Sequence, residues 1–347
     1  MPARIWSCLP SATLENSGPL HGCTGRGAIM TTLITGATGF VGRNLAQYLA
    51  TRHPLRLAVR ELAAGESLRS FGEVIATGNV CSSTDWSESL KGVNAIVHLA
   101  NRAHVLRETA ADPAAACREV NVEGTRRLAE QAAVAGVRRL VYLSSVKVLG
   151  ERTQVQAFGE ASLPAPEDPY AESKRNAEQV LRDIAARTGL EVVVLRPPLV
   201  YGPGVGANFL RLMQWVAQGI PLPVAAIHNR RSLIYVGNLA SAIEACLLHP
   251  AAAGRTYLLS DGAPVSTARL VTMLAAALGV SDRSWPLSPA LLRLTGKVIG
   301  MGGEVARLVD SLEVDDVAIR RDLGWLPPLT MAEGLRATAA AYLAPAR

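Results

Sequence analysis

The chain has 347 residues, of which 49% are hydrophobic, enough for one large or two modest domains with a sizeable core. No apolar run approaches the ~18 residues of a membrane span, so stable insertion in a bilayer is not expected. The formal charge of +6 is spread over single and paired arginines (Arg126-Arg127, Arg138-Arg139, Arg230-Arg231, Arg320-Arg321) without a basic run. That pattern argues against nucleic acid and leaves a few arginines to face an anionic small molecule.

Residues 1–29 are rich in Pro, Gly, Ser and Cys, carry no periodic pattern and lack the apolar core of a secretory signal. They read as a disordered extension, and Met30 stands just before the first strand. The five cysteines (Cys8, Cys23, Cys81, Cys117, Cys246) are odd in number and widely spaced, which suits neither a disulfide framework nor a zinc site. A reducing cytoplasm and a site without metal are the matching expectations.

Thr31-Thr32-Leu33-Ile34 reads as a first strand, Thr35-Gly36-Ala37-Thr38-Gly39-Phe40-Val41-Gly42-Arg43 as a glycine-rich turn, and 44–49 as a helix. Strand, glycine turn and helix in that order make a dinucleotide-phosphate site. Gly36 permits the turn, Gly39 lets a pyrophosphate approach, and Gly42 allows close helix packing. The helix start offers free N–H groups and a positive dipole end. Further strands are expected at 55–59, 74–78, 95–100, 140–145 and 191–196, with helices at 87–90, 113–135 and 169–187. This alternation predicts an α/β fold, a Rossmann-type doubly wound parallel sheet. Past Pro197-Pro198 prolines and glycines crowd 201–206 and 219–223. A strand-like 231–236, helical 237–248, a strand at 257–260 and helical 267–278 and 289–309 follow. The leucine-rich stretch 287–299 reads as a core or interface helix. The expected division is a dinucleotide-binding domain over 30–200, with 231–248 contributing. A smaller, partly interleaved α/β substrate domain takes 201–230 and 249–347.

Asp168 fits an N-cap and Pro169 the first helical position, which places Tyr170 and Lys174 at i and i+4 on one face. A phenol is a poor base at neutrality. A neighbouring ammonium and a cationic nicotinamide would favour the phenolate. An ordinary surface Tyr and Lys would show the same spacing, but Ser144 and Ser145 end the fifth strand, at the sheet edge where such folds place ligands. A serine hydroxyl there can hold a substrate oxygen while Tyr170 moves its proton.

With these residues in view the chain resembles the extended short-chain dehydrogenase/reductases, in particular the nucleotide-sugar epimerase, dehydratase and reductase group. The motifs are 35–42, His98-Leu99-Ala100, Asn121-Val122-Glu123-Gly124-Thr125, Leu143-Ser144-Ser145, Tyr170-Ala171-Glu172-Ser173-Lys174 and 196–204, and they occur in family order. The resemblance implies a catalytic Ser145, Tyr170 and Lys174, supported by Asn121. It implies cofactor contacts at Gly36, Thr38, Gly39, Phe40, Val41, Gly42, Asn79, Val80, Leu99, Ala100 and Asn101. Asn121, Tyr170, Lys174, Pro197, Leu199 and Val200 complete that set. Substrate contacts are implied at Ser144, Ser145, Val146, Asn208 and Arg231, with Arg230 as the alternative arginine, and a homodimer through 113–135 and 169–187.

Relatives preferring NAD carry an acid at the end of the second strand. Here Arg60 stands there, some two dozen positions past Gly36, near the usual ~20-residue offset. Arg60 can pair with a 2′-phosphate, with Arg43 as a helper, so NADP(H) is the preferred expectation, and Glu61 keeps NAD(H) open. The 4,6-dehydratases place Asp-Glu after the catalytic hydroxyl, whereas Val146-Lys147 stand here. Redox at C4 of a sugar remains. The runs 144–150 and 229–238 are most similar to the subgroup called UDP-glucose 4-epimerase, which includes 4-keto reductases forming UDP-N-acetylquinovosamine for surface polysaccharides. Arg60 favours the reductase: NADPH-dependent reduction of a UDP-4-keto-6-deoxy-N-acetylhexosamine, with Tyr170 donating a proton to the alkoxide. The alternative is a UDP-sugar 4-epimerase with bound NAD. A non-catalytic dinucleotide sensor is the minor alternative, since such proteins usually lack the Tyr or Lys that this chain keeps.

Overall fold

The computed structural model describes residues 30–103, 112–298 and 300–344; the expected extension 1–29 lies outside them. The first half alternates strands and helices: β1 (Thr32–Thr35), α1 (Phe40–Leu49), β2 (Leu55–Val59), β3 (Glu73–Ala76), α2 (Ser87–Leu90), β4 (Ala95–His98), α3 (Pro113–Arg118), α4 (Gly124–Val134), β5 (Arg139–Leu143), α5 (Pro169–Thr188) and β6 (Glu191–Arg196). The second half adds β7 (Leu199–Tyr201), α6 (Ala207–Ala217), β8 (Leu233–Tyr235), α7 (Val236–Leu248), β9 (Thr256–Leu258), α8 (Thr267–Leu278), α9 (Pro289–Val298), α10 (Gly302–Val309), α11 (Val317–Leu323) and α12 (Met331–Leu343).

Among the described residues seven strands form one parallel sheet in the order β3-β2-β1-β4-β5-β6-β9. Chain direction across the sheet reverses between β1 and β4, the switch point where such sheets open a ligand crevice. Alternate side chains feed two layers. Ile34, Leu57, Val59, Ala95 and Val97 join the core with α1, α7 and α11. Leu33, Ala58 and Ile96 join the core with α2, α4 and α5. Both faces are covered, which is why the strands read as unbroken apolar runs.

A separate core is built from β7, β8, α6, α8, α10 and α12. Here β7 and β8 pair in parallel, Leu199 with Leu233 and Tyr201 with Tyr235. Gly334 of α12 packs so closely on this pair that a Cβ would lie 2.7 Å from the Tyr201 hydroxyl oxygen. Half-buried Asp261 ties the regions together by accepting from the Tyr201 hydroxyl, the Tyr235 N–H and the Asn238 amide.

The structure revises the sequence reading in four places. The helix expected over 113–135 is α3 and α4 joined by a π-helical turn, Glu119–Glu123. The helix expected over 289–309 breaks between α9 and α10, where Gly300 takes φ +74. On α9 only Leu292 and Gly296 are buried, whereas Leu294 and Val298 are exposed, so of the two expected readings the core helix is ruled out and the interface helix stays an expectation. The chain past 249 is also not confined to the small core. β9 is an edge strand of the large sheet, and Tyr257, Leu259, Ile319 and Trp325 pack in its core.

Candidate active site

The glycine turn is fixed by backbone sterics. Gly36 adopts φ +67, and a Cβ there would meet the Ala100 N at 2.7 Å. A Cβ on Gly42 would lie 2.2 Å from the Gly36 carbonyl oxygen, so Gly42 packs the helix against the turn itself. Gly39 caps α1 without a side-chain bond, which leaves the first-turn N–H groups of Phe40, Val41 and Gly42 for an anion. The Phe40 and Val41 side chains pack toward the two cores, so these residues offer only backbone to a phosphate. Arg43 donates to the Thr38 carbonyl at 2.8 Å and braces the turn.

A cleft of about 850 Å³ opens along the carboxyl ends of β1–β4. Gly36, Thr38, Gly39, Arg60, Glu61, Asn79, Val80, Leu99, Ala100 and Asn101 line it. Size, glycine floor and free helix N-terminus fit a dinucleotide. Gly124 supports the cleft from behind, since a Cβ would lie 2.6 Å from the Val80 Cγ1.

A directed hydrogen-bond chain runs from this cleft toward α5. The Thr35 Oγ1 accepts from the N–H groups of Leu99 and Ala100, each at 3.2 Å, and meets the His98 Nδ1 at 2.6 Å. With both lone pairs used, the hydroxyl proton goes to Nδ1, and His98 must carry its proton on Nε2. Nε2 then donates to the Thr125 Oγ1 at 3.0 Å, which donates to the Asn121 carbonyl at 2.7 Å. Burial, with the charge of Lys174, pushes the His98 pKa down to about 3, so the ring is neutral. Asn121 sits in the π-helical turn, fully buried, accepting from the Arg102 N–H and donating to the Arg102 carbonyl and the Ser173 hydroxyl. The Ser173 hydroxyl in turn donates to the Tyr170 carbonyl. The wider turn supplies the offset that aims Asn121 at α5.

Asp168 caps α5 by accepting from the Ala171 N–H at 2.6 Å, with Pro169 next. Tyr170 and Lys174 lie on the buried side of this helix. The Lys174 Nζ donates to the Leu143 carbonyl at 2.8 Å and lies 5.9 Å from the centre of the Tyr170 ring. Ser145 stands two residues past β5, its Oγ accepting from the Lys147 N–H at 3.2 Å. The strand end and the helix are thus brought together. The electrostatics are those of the protein without the cationic nicotinamide on which the expected lowering of the phenol pKa depends. Burial, then Asp168, then Cys117 push Tyr170 up to about 12. Burial brings Lys174 down to about 7 against the pull of Glu178. The protein on its own keeps the phenol protonated and only partly charges the amine.

Two expected substrate contacts are placed elsewhere. Ser144 is buried and donates to Glu178 at 2.6 Å; Glu178 also takes two bonds from Arg196. Ser144 is thus turned into the protein, whereas the half-buried Ser145 caps the short turn Val146–Val148. Val146 is buried with Leu149, Leu258, Leu312 and Val314, and its N–H donates to the Pro197 carbonyl at 3.0 Å. That bond sets Pro197 beside the Ser145 segment. Leu199 is 40% exposed and lines the second pocket, while Val200 lies between the two cores.

The second pocket holds about 200 Å³, with Asn208, Arg211, Trp215, Arg231 and Arg307 in its wall. Arg231 is largely buried, and burial, with Arg307 nearby, lowers its pKa against the pull of Asp310. Such a guanidinium favours an anion. Arg230 points outward in a two-bond pair with Glu313, so Arg231 is the arginine of this pocket. Sequence reasoning missed Arg211 and Trp215. The signal was available, because 208, 211, 212 and 215 share one helical face. Ala207, with φ +51, is a non-glycine residue in the left-handed region at the start of that helix. Among the described residues no group of three His, Cys, Asp or Glu could hold a metal, and no helix is long and apolar enough to cross a membrane.

A profile of the NAD dependent epimerase/dehydratase family matches residues 32–260. The chain is 42% identical over 326 residues to a UDP-glucose 4-epimerase of Vibrio cholerae, covering 92% of this chain and 98% of that protein. It is 30% identical over 334 residues to a 2-alkyl-3-oxoalkanoate reductase of Stenotrophomonas maltophilia, covering 88% of this chain and 98% of that one. The fold matches that of UDP-glucuronic acid 4-epimerase from Bacillus cereus in complex with NAD, with a TM-score of 0.73 and 21% identity over 90% of this chain and 96% of that one. Dinucleotide cleft, Tyr-Lys helix and sequence agree: the chain belongs to the NAD dependent epimerase/dehydratase family, among the extended short-chain dehydrogenase/reductases.

Proposed function

We propose that the protein is a UDP-sugar 4-epimerase, with UDP-glucose or UDP-N-acetylglucosamine as substrate class, working on NAD held in the 850 Å³ cleft. The observation that carries this reading is the position of Ser145, Tyr170 and Lys174 where β5 and α5 meet, with Leu199 linking the neighbouring β7 to the Arg231 pocket. Identity to the Vibrio cholerae 4-epimerase supports it over the reductase.

Gly36, Gly39 and the start of α1 would hold the pyrophosphate, and Asn79 and Val80 would flank the adenine end. Bound NAD would supply a reversible hydride acceptor at C4. Arg231 and Asn208 would hold the nucleotide diphosphate. Ser145 would bind the C4 oxygen, and Tyr170 would take its proton and later return it to the other epimer. Tyr170 can act as a base only when positive charge beside it offsets burial and Asp168, and Lys174 is one source of that charge. A homodimer through the α3–α4 and α5 helices belongs to the same reading.

The second reading is the 4-keto reductase of a UDP-4-keto-6-deoxy-N-acetylhexosamine using NADPH. It is favoured by Arg60, exposed in the cleft wall at the end of β2, where it could meet a 2′-phosphate. Incubation with UDP-sugars and with the keto-sugar, following the reduced cofactor, decides between them. Interconversion of C4 epimers with no net cofactor change is expected. Stoichiometric loss of NADPH with the keto-sugar would replace the first reading with the second, and neither outcome would remove both.

A further inference from the structure

Two residues past Ser145, Lys147 touches both halves of the candidate site. Its N–H donates to the Ser145 Oγ at 3.2 Å. Its Nζ donates to the Asp168 Oδ2 at 2.7 Å and the Glu151 Oε1 at 2.6 Å. The other oxygen of Asp168 caps α5, and the Asp168 carbonyl accepts from the Glu172 N–H. Tyr170 follows Asp168 by two positions, so one side chain spans the segment with the hydroxyl and the segment with the phenol. The pair is partly shielded, with 24% of the Lys147 side chain and 18% of Asp168 exposed. Charge-assisted bonds in such surroundings are stronger than a solvent-exposed pair.

We propose that Lys147 is a positioning residue that clamps the Ser145 turn to the N-cap of α5 and offsets the Asp168 carboxylate as felt by the Tyr170 phenol. The proposal rests on the reading of Tyr170 as the proton-transfer group. Burial disfavours the Lys147 charge, but Asp168 and Glu151 outweigh it and raise its pKa, so the ammonium persists at neutral pH. Among the described residues the groups facing Tyr170 are Asp168 at its own helix start, Lys174 one turn on, Cys117 from α3 and Tyr142 from β5. Glu172 lies exposed on the same helix. Of these, Asp168 carries the negative charge that Lys147 opposes.

The test uses the NAD-loaded protein and the variants Lys147→Met, Lys147→Arg and Asp168→Asn. Phenolate absorbance is titrated against Tyr170→Phe, and the rising limb of kcat is followed against pH. Lys147→Met is expected to move the Tyr170 titration up by about one pH unit. Its kcat at neutral pH should fall by about tenfold with little change in KM, and Lys147→Arg should restore both. Asp168→Asn keeps an N-cap and removes the charge, so its titration should move down. Lys147→Met should then add no further shift in that background. An unmoved titration in Lys147→Met overturns the proposal, as does a loss of activity that only tracks a lower thermal midpoint. Should Lys147→Met not fold, an unmoved titration in Asp168→Asn overturns it instead. Full turnover by Tyr170→Phe would remove the reading beneath it, a separate outcome.

Discussion

The dinucleotide cleft and the Arg231 pocket are built by opposite means. The cleft is shaped by backbone: Gly36 and Gly42 leave no room for a Cβ, and the capping position of α1 offers no side chain. The pocket is shaped by side chains from β7, α6, β8, α8 and α10, with Arg211 of α6 and Arg231 just before β8 among its lining. A backbone site tolerates almost no substitution at its glycines but asks little of its lining. A side-chain site can be retuned one residue at a time without disturbing the backbone around it.

Changes at the junction and on each side sharpen this contrast. At the junction, Tyr170→Phe should lower turnover by about a thousandfold while both ligands still bind, measured by steady-state rates and cofactor titration. On the cleft side, Gly42→Ala must push the turn aside, and dinucleotide affinity should fall by about a hundredfold. Calorimetry should show UDP still bound in that variant; joint loss would show that the two regions are not independent. On the pocket side, Arg231→Leu should weaken UDP binding by roughly thirtyfold and leave dinucleotide affinity unchanged. The smallest effect concerns His98. An unfolded imidazole takes a proton below its ordinary 6.5, but the folded one does so only near 3. Unfolding therefore binds a proton in that window, and stability falls as pH drops through it. Between pH 7 and pH 5 the loss should be about 2 kcal/mol. His98→Gln should flatten that limb in thermal melts, and an unchanged slope would show that another group governs it.

The parts legible in the sequence were those that constrain the backbone. A glycine turn after an apolar run, a Pro at a helix start and a Tyr four residues before a Lys each demand a local geometry. Ser144 was misread because adjacent serines at a strand end were both given to the cleft, although Ser144 is turned into the protein toward Glu178. The phenol's high pKa was not legible, because it comes from burial that only the packed chain creates. The pocket face of α6 was hidden by the Pro- and Gly-rich stretch before it and by its mixture of Asn, Arg and Trp. β9 was assigned to the wrong core because chain order was taken for spatial order, whereas three residues suffice to return the chain to the large sheet.

That return has a consequence for biosynthesis. Arg139 of β5 is buried and holds the carbonyls of Cys246, Leu247 and His249, while the Trp325 indole bonds the Ser241 hydroxyl and its ring lies in the first core. A nascent chain leaving the ribosome cannot close its first core until the residues around Trp325 have emerged, by which time the intervening lobe is already outside. The two halves must therefore mature together, and a truncation after α10 would keep every strand of the sheet but remove Ile319 and Trp325, leaving an unsealed apolar face for chaperones to hold.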